Sequence, residues 1–176
     1  MKRIYLFGEG TKEQKNLLGG KGANLSEMKN IGVPVPMGYT ITTEMCNEYY
    51  ANGGKNSDEL LADMREYNKK LEKETGKGFG SKTNPLLLSV RSGARVSMPG
   101  MMDTILNLGL NDDVVEGLVA KTGNVKWVFD IYRRFIHMFG EVVQGVEYEA
   151  FASVLDEIKE KNNYDSDLEL SGEDWK

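Results

Sequence analysis

The chain has 176 residues, of which 40% are hydrophobic and 28% charged, and its formal net charge is −5. A chain of this length forms one domain or two small ones and can bury a true core. Its single cysteine excludes a disulfide framework and a cysteine metal cage, and its single histidine excludes a multi-histidine zinc site. The acidic balance argues against broad nucleic-acid binding. The lack of a long apolar run or a signal peptide predicts a cytoplasmic protein without membrane contact.

Short strands and amphipathic helices are expected in turn along the chain. Strands are predicted over residues 2–8 and 39–42, where aromatic and branched side chains precede a glycine or a helix cap. Helices are predicted where apolar residues recur at helical spacing between caps and glycines, over residues 25–31, 43–52, 57–75, 111–121, 124–144 and 147–161.

Three further segments are predicted from composition. Residues 85–93 carry an uncharged run that ends in polar residues and a glycine, which is typical of a strand buried on both faces. Residues 94–109 carry several methionines and glycines, which favours a long structured loop. The acidic residues 164–176 are poor in apolar groups, so we expect a loosely held tail after a domain of residues 1–163.

The first candidate for chemistry is a glycine-rich loop around Lys21. Gly19, Gly20 and Gly22 allow close approach of backbone N–H groups to a phosphate, and the following helix adds partial positive charge. The pattern is not a Walker motif, because Gly22 directly follows Lys21 where the motif requires Ser or Thr. A plain loop-to-helix turn is the alternative.

The second candidate is Arg91 at the end of the predicted buried strand, with Arg95 close behind it. Guanidinium groups suit phosphate oxygens because they offer several donors in one plane. An ion pair with a surface acid explains such an arginine equally well.

The third candidate is Arg134. Its spacing from Trp127, Ile131 and Met138 predicts a position within or beside the apolar stripe of its helix, with Arg133 pointing to water. Such a charge needs either a core carboxylate or an anionic ligand.

Two other side chains that could be reactive are not expected to be catalytic. His137 falls on the predicted wet face, formed by Lys126, Asp130, Arg133, His137, Glu141 and Gln144, and is expected to be solvated. Cys46 lies within an apolar helical pattern and is expected to be a small core residue.

Four segments carry a family resemblance. They are LLGGKGANL at residues 17–25, PVPMGYTITT at 34–43, SVRSGARVSMPGMMDTILNLGLND at 89–112 and YRRF at 132–135. Together they resemble the N-terminal nucleotide-binding domain of pyruvate, phosphate dikinase. The likeness runs over essentially the whole chain, and the third segment is its most specific part.

The resemblance implies an α+β fold of the ATP-grasp type, with a mixed sheet, flanking helices and a helical C-terminal segment. It implies that ATP, with Mg²⁺, donates phosphoryl groups to a histidine on a separate domain, so that the enzyme interconverts ATP, pyruvate and phosphate with AMP, phosphoenolpyruvate and diphosphate. Lys21 and Arg91 would hold the phosphates and serve catalysis, converging on one triphosphate. The resemblance further implies a nucleotide-binding role for five other residues, which are Gly100, Met102, Asp103, Thr104 and Arg134.

Parts of the family pattern are missing. The second ATP-grasp lobe with its magnesium ligands, the phosphohistidine domain and the pyruvate-binding barrel are expected outside this chain, which would therefore be a fragment or a truncated product. His137 is not expected to replace the phosphate carrier. A catalytically silent nucleotide-binding or regulatory module, and the matching part of a related dikinase such as phosphoenolpyruvate synthase, remain as alternatives.

Overall fold

The protein is described by a computed structural model that covers residues 2–93 and 103–175. These residues form two compact units. The N-terminal unit comprises the residues up to Gly76 together with Ser92 and Gly93, and the C-terminal unit comprises Lys77–Arg91 and the residues from Asp103 onward. Helices and short strands occur in both units, which confirms the predicted α+β class.

The N-terminal unit contains a two-stranded sheet and three helices. Strands β1 (Ile4–Leu6) and β2 (Tyr39–Ile41) pair antiparallel, with Tyr5 opposite Thr40. The helices are α1 (Lys15–Asn30), preceded by a 3₁₀ turn, α2 (Thr43–Ala51) and α3 (Asp58–Thr75). The buried side chains of Ile4, Met45 and Leu60 form its core.

The C-terminal unit contains a second pair of strands and three helices. Strand β3 (Leu88–Arg91) pairs antiparallel with β4 (Thr104–Leu108), and a register shift falls between Leu88 and Val90. The helices are α4 (Asp112–Thr122), α5 (Val125–Gln144) and α6 (Tyr148–Asn162). Its core consists of Leu110, Val114, Val115 and Val128.

Side-chain caps and glycines set the ends of the helices as the sequence predicts. Asn111 accepts a hydrogen bond from the Val114 N–H at 2.9 Å, and Asn124 accepts one from the Trp127 N–H at 3.0 Å. Gly123 ends α4 in the left-handed conformation, with φ of 66°. All six predicted helices are present.

Helices α4 and α5 are also joined by a hydrogen bond at the edge of their shared core. The Tyr132 hydroxyl donates to Asp112 Oδ1 at 2.8 Å. Burial, followed by this bond and the charge of Asp112, raises the pKa of Tyr132 to about 12. The phenol therefore stays protonated and keeps donating well above neutral pH.

Two predictions about residues 85–109 are wrong. Strand β3 is not buried on both faces, because Ser89, Val90 and Arg91 are exposed and β4 is the only strand paired with it in the described residues. The predicted loop over 94–109 contains β4, in which Ile105 is buried. The uncharged run that suggested burial instead places Leu86 in the interior, just ahead of the strand.

Other predictions also need correction. The single mixed sheet is replaced, in the described part of the chain, by two separate antiparallel pairs. Cys46 is exposed rather than buried, because Met45 is the residue of α2 that enters the core. None of the helices described here is long and apolar enough to cross a membrane.

The acidic C-terminal segment makes several contacts within its unit. Leu170 is fully buried, and Lys126 Nζ donates to the Leu168 carbonyl at 2.5 Å. The Arg133 guanidinium lies over the Trp175 ring, 4.4 Å from its centroid. The boundary at residue 164 and the looseness of the segment beyond it stay predictions.

Candidate phosphate-binding residues

Lys21 lies one residue into a helix that restarts after a kink. Gly19 has φ of 68° and ψ of 165°, a conformation that only glycine adopts readily. The predicted glycine loop is therefore confined to Gly19, whereas Gly20, Lys21 and Gly22 are helical. Lys21 stands in the first turn after the kink, where the helix dipole adds positive charge to that of the ammonium.

The Lys21 ammonium has a main-chain partner. Its Nζ donates to the Ser92 carbonyl at 3.3 Å, and this contact is exposed. No carboxylate pairs with Lys21 in the part of the chain that the structure describes. A neutral carbonyl leaves the ammonium charge uncompensated, so Lys21 can still attract an anion.

Arg91 and Thr104 are brought together by the pairing of β3 with β4. They are directly opposite each other as the last residue of β3 and the first of β4, and Asp103 precedes Thr104. Arg91 is exposed, and no acid among residues 2–93 and 103–175 forms an ion pair with it. The strand pair therefore presents a guanidinium, without an acidic partner in the described residues, beside a hydroxyl, and both groups are donors suited to phosphate oxygens.

Three of the candidates from the sequence, Arg95, Gly100 and Met102, lie outside the described residues. Lys21 belongs to the N-terminal unit and Arg91 to the C-terminal unit. Their convergence on one triphosphate stays a prediction.

The prediction that Arg134 lies in the apolar stripe, with Arg133 in water, is wrong. The Arg134 side chain is 67% exposed, whereas that of Arg133 is 21% exposed and packs on Trp175. Spacing along α5 alone could not reveal this, because the C-terminal segment covers the side of the helix on which Arg133 lies. Arg134 lies one helical turn before Met138. The Met138 sulfur accepts a hydrogen bond from the N–H of Leu106 in β4 at 3.4 Å.

Asp130 binds both arginines. Its Oδ1 accepts from Arg133 at 2.9 Å and its Oδ2 from the Nε of Arg134 at 3.0 Å. Burial by itself raises the pKa of Asp130, but the hydrogen bonds and charges of the two arginines outweigh burial and leave that pKa below its ordinary value. The carboxylate is thus ionised at neutral pH and offsets part of the Arg134 charge.

His137 is not solvated, contrary to the prediction. Its ring stacks on Phe151 with centroids 4.6 Å apart, and Tyr148 lies 5.2 Å away. Gly140, one turn further along α5, permits this packing because a Cβ there would come within 2.5 Å of the Phe151 ring. Helix α6 therefore covers the face of α5 that sequence spacing assigned to water.

Asp130→Asn is expected to destabilise the C-terminal unit by about 1 kcal/mol near neutral pH, as is typical of a partly exposed ion pair. Because the folded-state pKa of Asp130 is lowered, its contribution is present above the unfolded pKa and is lost as the pH falls through the folded pKa. The wild-type chain should therefore approach the variant in stability as the pH falls below the ordinary pKa of an aspartate carboxyl group. Thermal unfolding of both proteins over a series of pH values from neutral to acidic measures this.

The matched control is Glu157→Gln on α6, whose side chain is exposed. Equal pH dependence in the wild type and in Asp130→Asn would contradict the role given to this carboxylate.

The described residues contain no group of three or more His, Cys, Asp or Glu side chains that could hold a metal ion. The expectation that the magnesium ligands lie outside this chain stays a prediction.

Sequence reasoning missed two features of the site. One is the Ser92 carbonyl, which accepts from Lys21. The sequence could not indicate it, because every residue carries a main-chain carbonyl. The other is Thr40, which packs against Gly22. The sequence did contain one indication of this contact. Gly22 is a glycine within a helical segment, which is typical of a place where another element approaches the helix closely.

Comparisons with known proteins agree with the resemblance. The domain family described as pyruvate phosphate dikinase, AMP/ATP-binding domain, matches residues 15–77. The pyruvate, phosphate dikinase of Clostridium symbiosum is 50% identical over 175 residues, covering 99% of this chain and 20% of the relative. That of Rhizobium meliloti is 51% identical, with 99% and 20% covered. The chloroplastic protein of Mesembryanthemum crystallinum is 51% identical, with 100% and 19% covered. The chain spans about one fifth of the length of these relatives.

Proposed function

We propose that the chain belongs to the pyruvate, phosphate dikinase family, that it forms part of an ATP-binding site and that it holds the nucleotide through its phosphates. The observation that carries the proposal is the AMP/ATP-binding match over residues 15–77. This range contains the kink at Gly19 and the helical turn with Lys21.

The proposed chemistry is electrostatic. Transfer of a phosphoryl group spreads negative charge over its oxygens, and the protein contributes mainly by positioning and by stabilising that charge. Lys21 supplies an ammonium at a helix start, and Arg91 supplies a guanidinium without an acidic partner in the described residues. We assign both to ATP phosphates.

The other candidates are assigned smaller roles. Thr104 supplies a hydroxyl opposite Arg91, and Asp103 lies next to it in the chain. Arg134 assists with a charge that Asp130 partly neutralises. Gly100 and Met102 are assigned to the nucleotide from the family resemblance alone.

The activity proposed for the complete enzyme is that of its relatives. In it, ATP, pyruvate and phosphate would be converted to AMP, phosphoenolpyruvate and diphosphate, with a phosphohistidine as the carrier. The second lobe, the phosphohistidine domain and the pyruvate-binding barrel are the proposed partners of this chain. Magnesium would accompany ATP, held by groups other than those described here.

A series of adenine compounds tests the proposal on the chain as it is. If the phosphates provide the grip, affinity measured by calorimetry should increase from adenosine through AMP and ADP to MgATP, and it should fall as salt is added. Tripolyphosphate should compete with MgATP. Equal affinity for adenosine and MgATP, or no binding of either, would contradict the proposal for this chain.

A further inference from the structure

Thr40 of β2 lies against the first turn of α1 after the kink. A Cβ built on Gly22 would lie 2.6 Å from Thr40 Oγ1, 2.8 Å from its Cγ2 and 3.2 Å from its Cβ. Gly22 is buried, and Ala23 on the same helix is fully buried. The helix therefore approaches the strand so closely at Gly22 that no side chain fits between them.

Thr40 cannot easily make room for a larger residue. Two of the three substituents on the Thr40 Cβ are heavy atoms, and two of the three positions face Gly22. Rotation between staggered rotamers therefore always leaves at least one heavy atom facing Gly22. The strand is also held from its other side, because Thr40 pairs with Tyr5 of β1 and the Thr42 N–H donates to the Arg3 carbonyl at 3.0 Å. We therefore expect a larger residue at this contact to displace the helix rather than the strand.

The same contact fixes the start of the helix relative to its neighbours. Lys21 directly precedes Gly22, and α2 is joined to the segment before the kink by the Thr43 hydroxyl, which donates to the Asn16 carbonyl at 2.7 Å. With the chain anchored on both sides of Gly19, a displacement at Gly22 is passed to the turn that carries Lys21.

We infer that Thr40 is a positioning residue for Lys21, acting through its contact with Gly22. The inference deepens the proposed function and rests on it. Any side chain at residue 22 pushes the first turn away from β2 and moves the Lys21 ammonium from its place.

The test is a cycle of Gly22→Ala, Thr40→Ala and the double variant in the full chain. Alanine is normally the better helix former, so without the contact Gly22→Ala would raise the melting temperature. Because Thr40 contacts this position, Gly22→Ala should instead lower the melting temperature by several degrees and shift the amide resonances of residues 20–23. The double variant should recover much of both changes, because Thr40→Ala removes two of the three close atoms. Asn24→Ala, at an exposed position of the same helix, is the control.

The same variants are then titrated with MgATP. Gly22→Ala should weaken binding by about tenfold or more, because small misplacements of a positioned charge are costly, and the double variant should regain most of the affinity. A cycle without coupling in melting temperature and resonances would overturn the inference, and so would unchanged affinity in Gly22→Ala. If the wild type itself fails to bind MgATP, the proposed function fails for this chain, while the resonances still decide whether Thr40 positions the Lys21 turn.

Discussion

Arg91→Ala is expected to weaken binding of MgATP by about 10- to 100-fold, the range that corresponds to the loss of a charged hydrogen bond of about 1.5–3 kcal/mol. Arg91 is exposed and has no ion-pair partner in the described residues, so its guanidinium is not needed to neutralise a protein carboxylate. Arg91→Ala should therefore weaken MgATP binding and leave the melting temperature nearly unchanged.

Two further variants make this prediction specific. Arg91→Lys keeps the charge but loses the planar fork, so its affinity should lie between those of the wild type and Arg91→Ala. Arg65→Ala, at an exposed position on α3, removes the same net charge and should bind MgATP as the wild type does. Equal losses in Arg65→Ala and Arg91→Ala would show that only overall charge matters.

Gly117→Ala is expected to destabilise the C-terminal unit by about 1–3 kcal/mol, as overpacking of an interior does. A Cβ at this position would collide with the Lys82 carbonyl oxygen, and it would lie 2.8 Å from the carbonyl carbon. The obstacle is backbone, which cannot rotate away as a side chain can. The loss should appear as a lower melting temperature.

Ala120→Gly on the same helix provides the baseline, because it measures the ordinary preference for alanine over glycine at an exposed position. That preference amounts to about 1 kcal/mol in favour of alanine. A higher melting temperature for Gly117→Ala than for the wild type would show that helix preference prevails and that the approach of Lys82 is not close.

Local signals in the sequence were sufficient to predict the helices. Asn111 and Asn124 act through their own side chains on N–H groups three residues ahead, and the left-handed Gly123 and Gly145 end the helices that follow. These interactions lie within a few residues, so spacing reveals them. Strands β1 and β2 were found for the same reason.

Burial of individual side chains was not predictable, because it depends on elements distant in sequence. Arg133 and Arg134 are adjacent, and only the packing of Trp175 on Arg133 decides which of them is covered. His137 is covered by Phe151 of α6, and exposed Val90 lies in a strand whose composition suggests a core. The candidate site shows the same limit, since Lys21 and Arg91 could be selected by residue type but not the Ser92 carbonyl or Thr40.

Calorimetric titration of Lys21→Ala with MgATP tests most directly the claim that the turn after Gly19 binds ATP through its phosphates. Lys15→Ala, at an exposed position of the same helix, removes an equal charge and serves as the reference. Lys21→Ala is expected to bind MgATP at least about tenfold more weakly than Lys15→Ala does, with adenosine bound equally by both. Equal MgATP affinity in the two variants would contradict it.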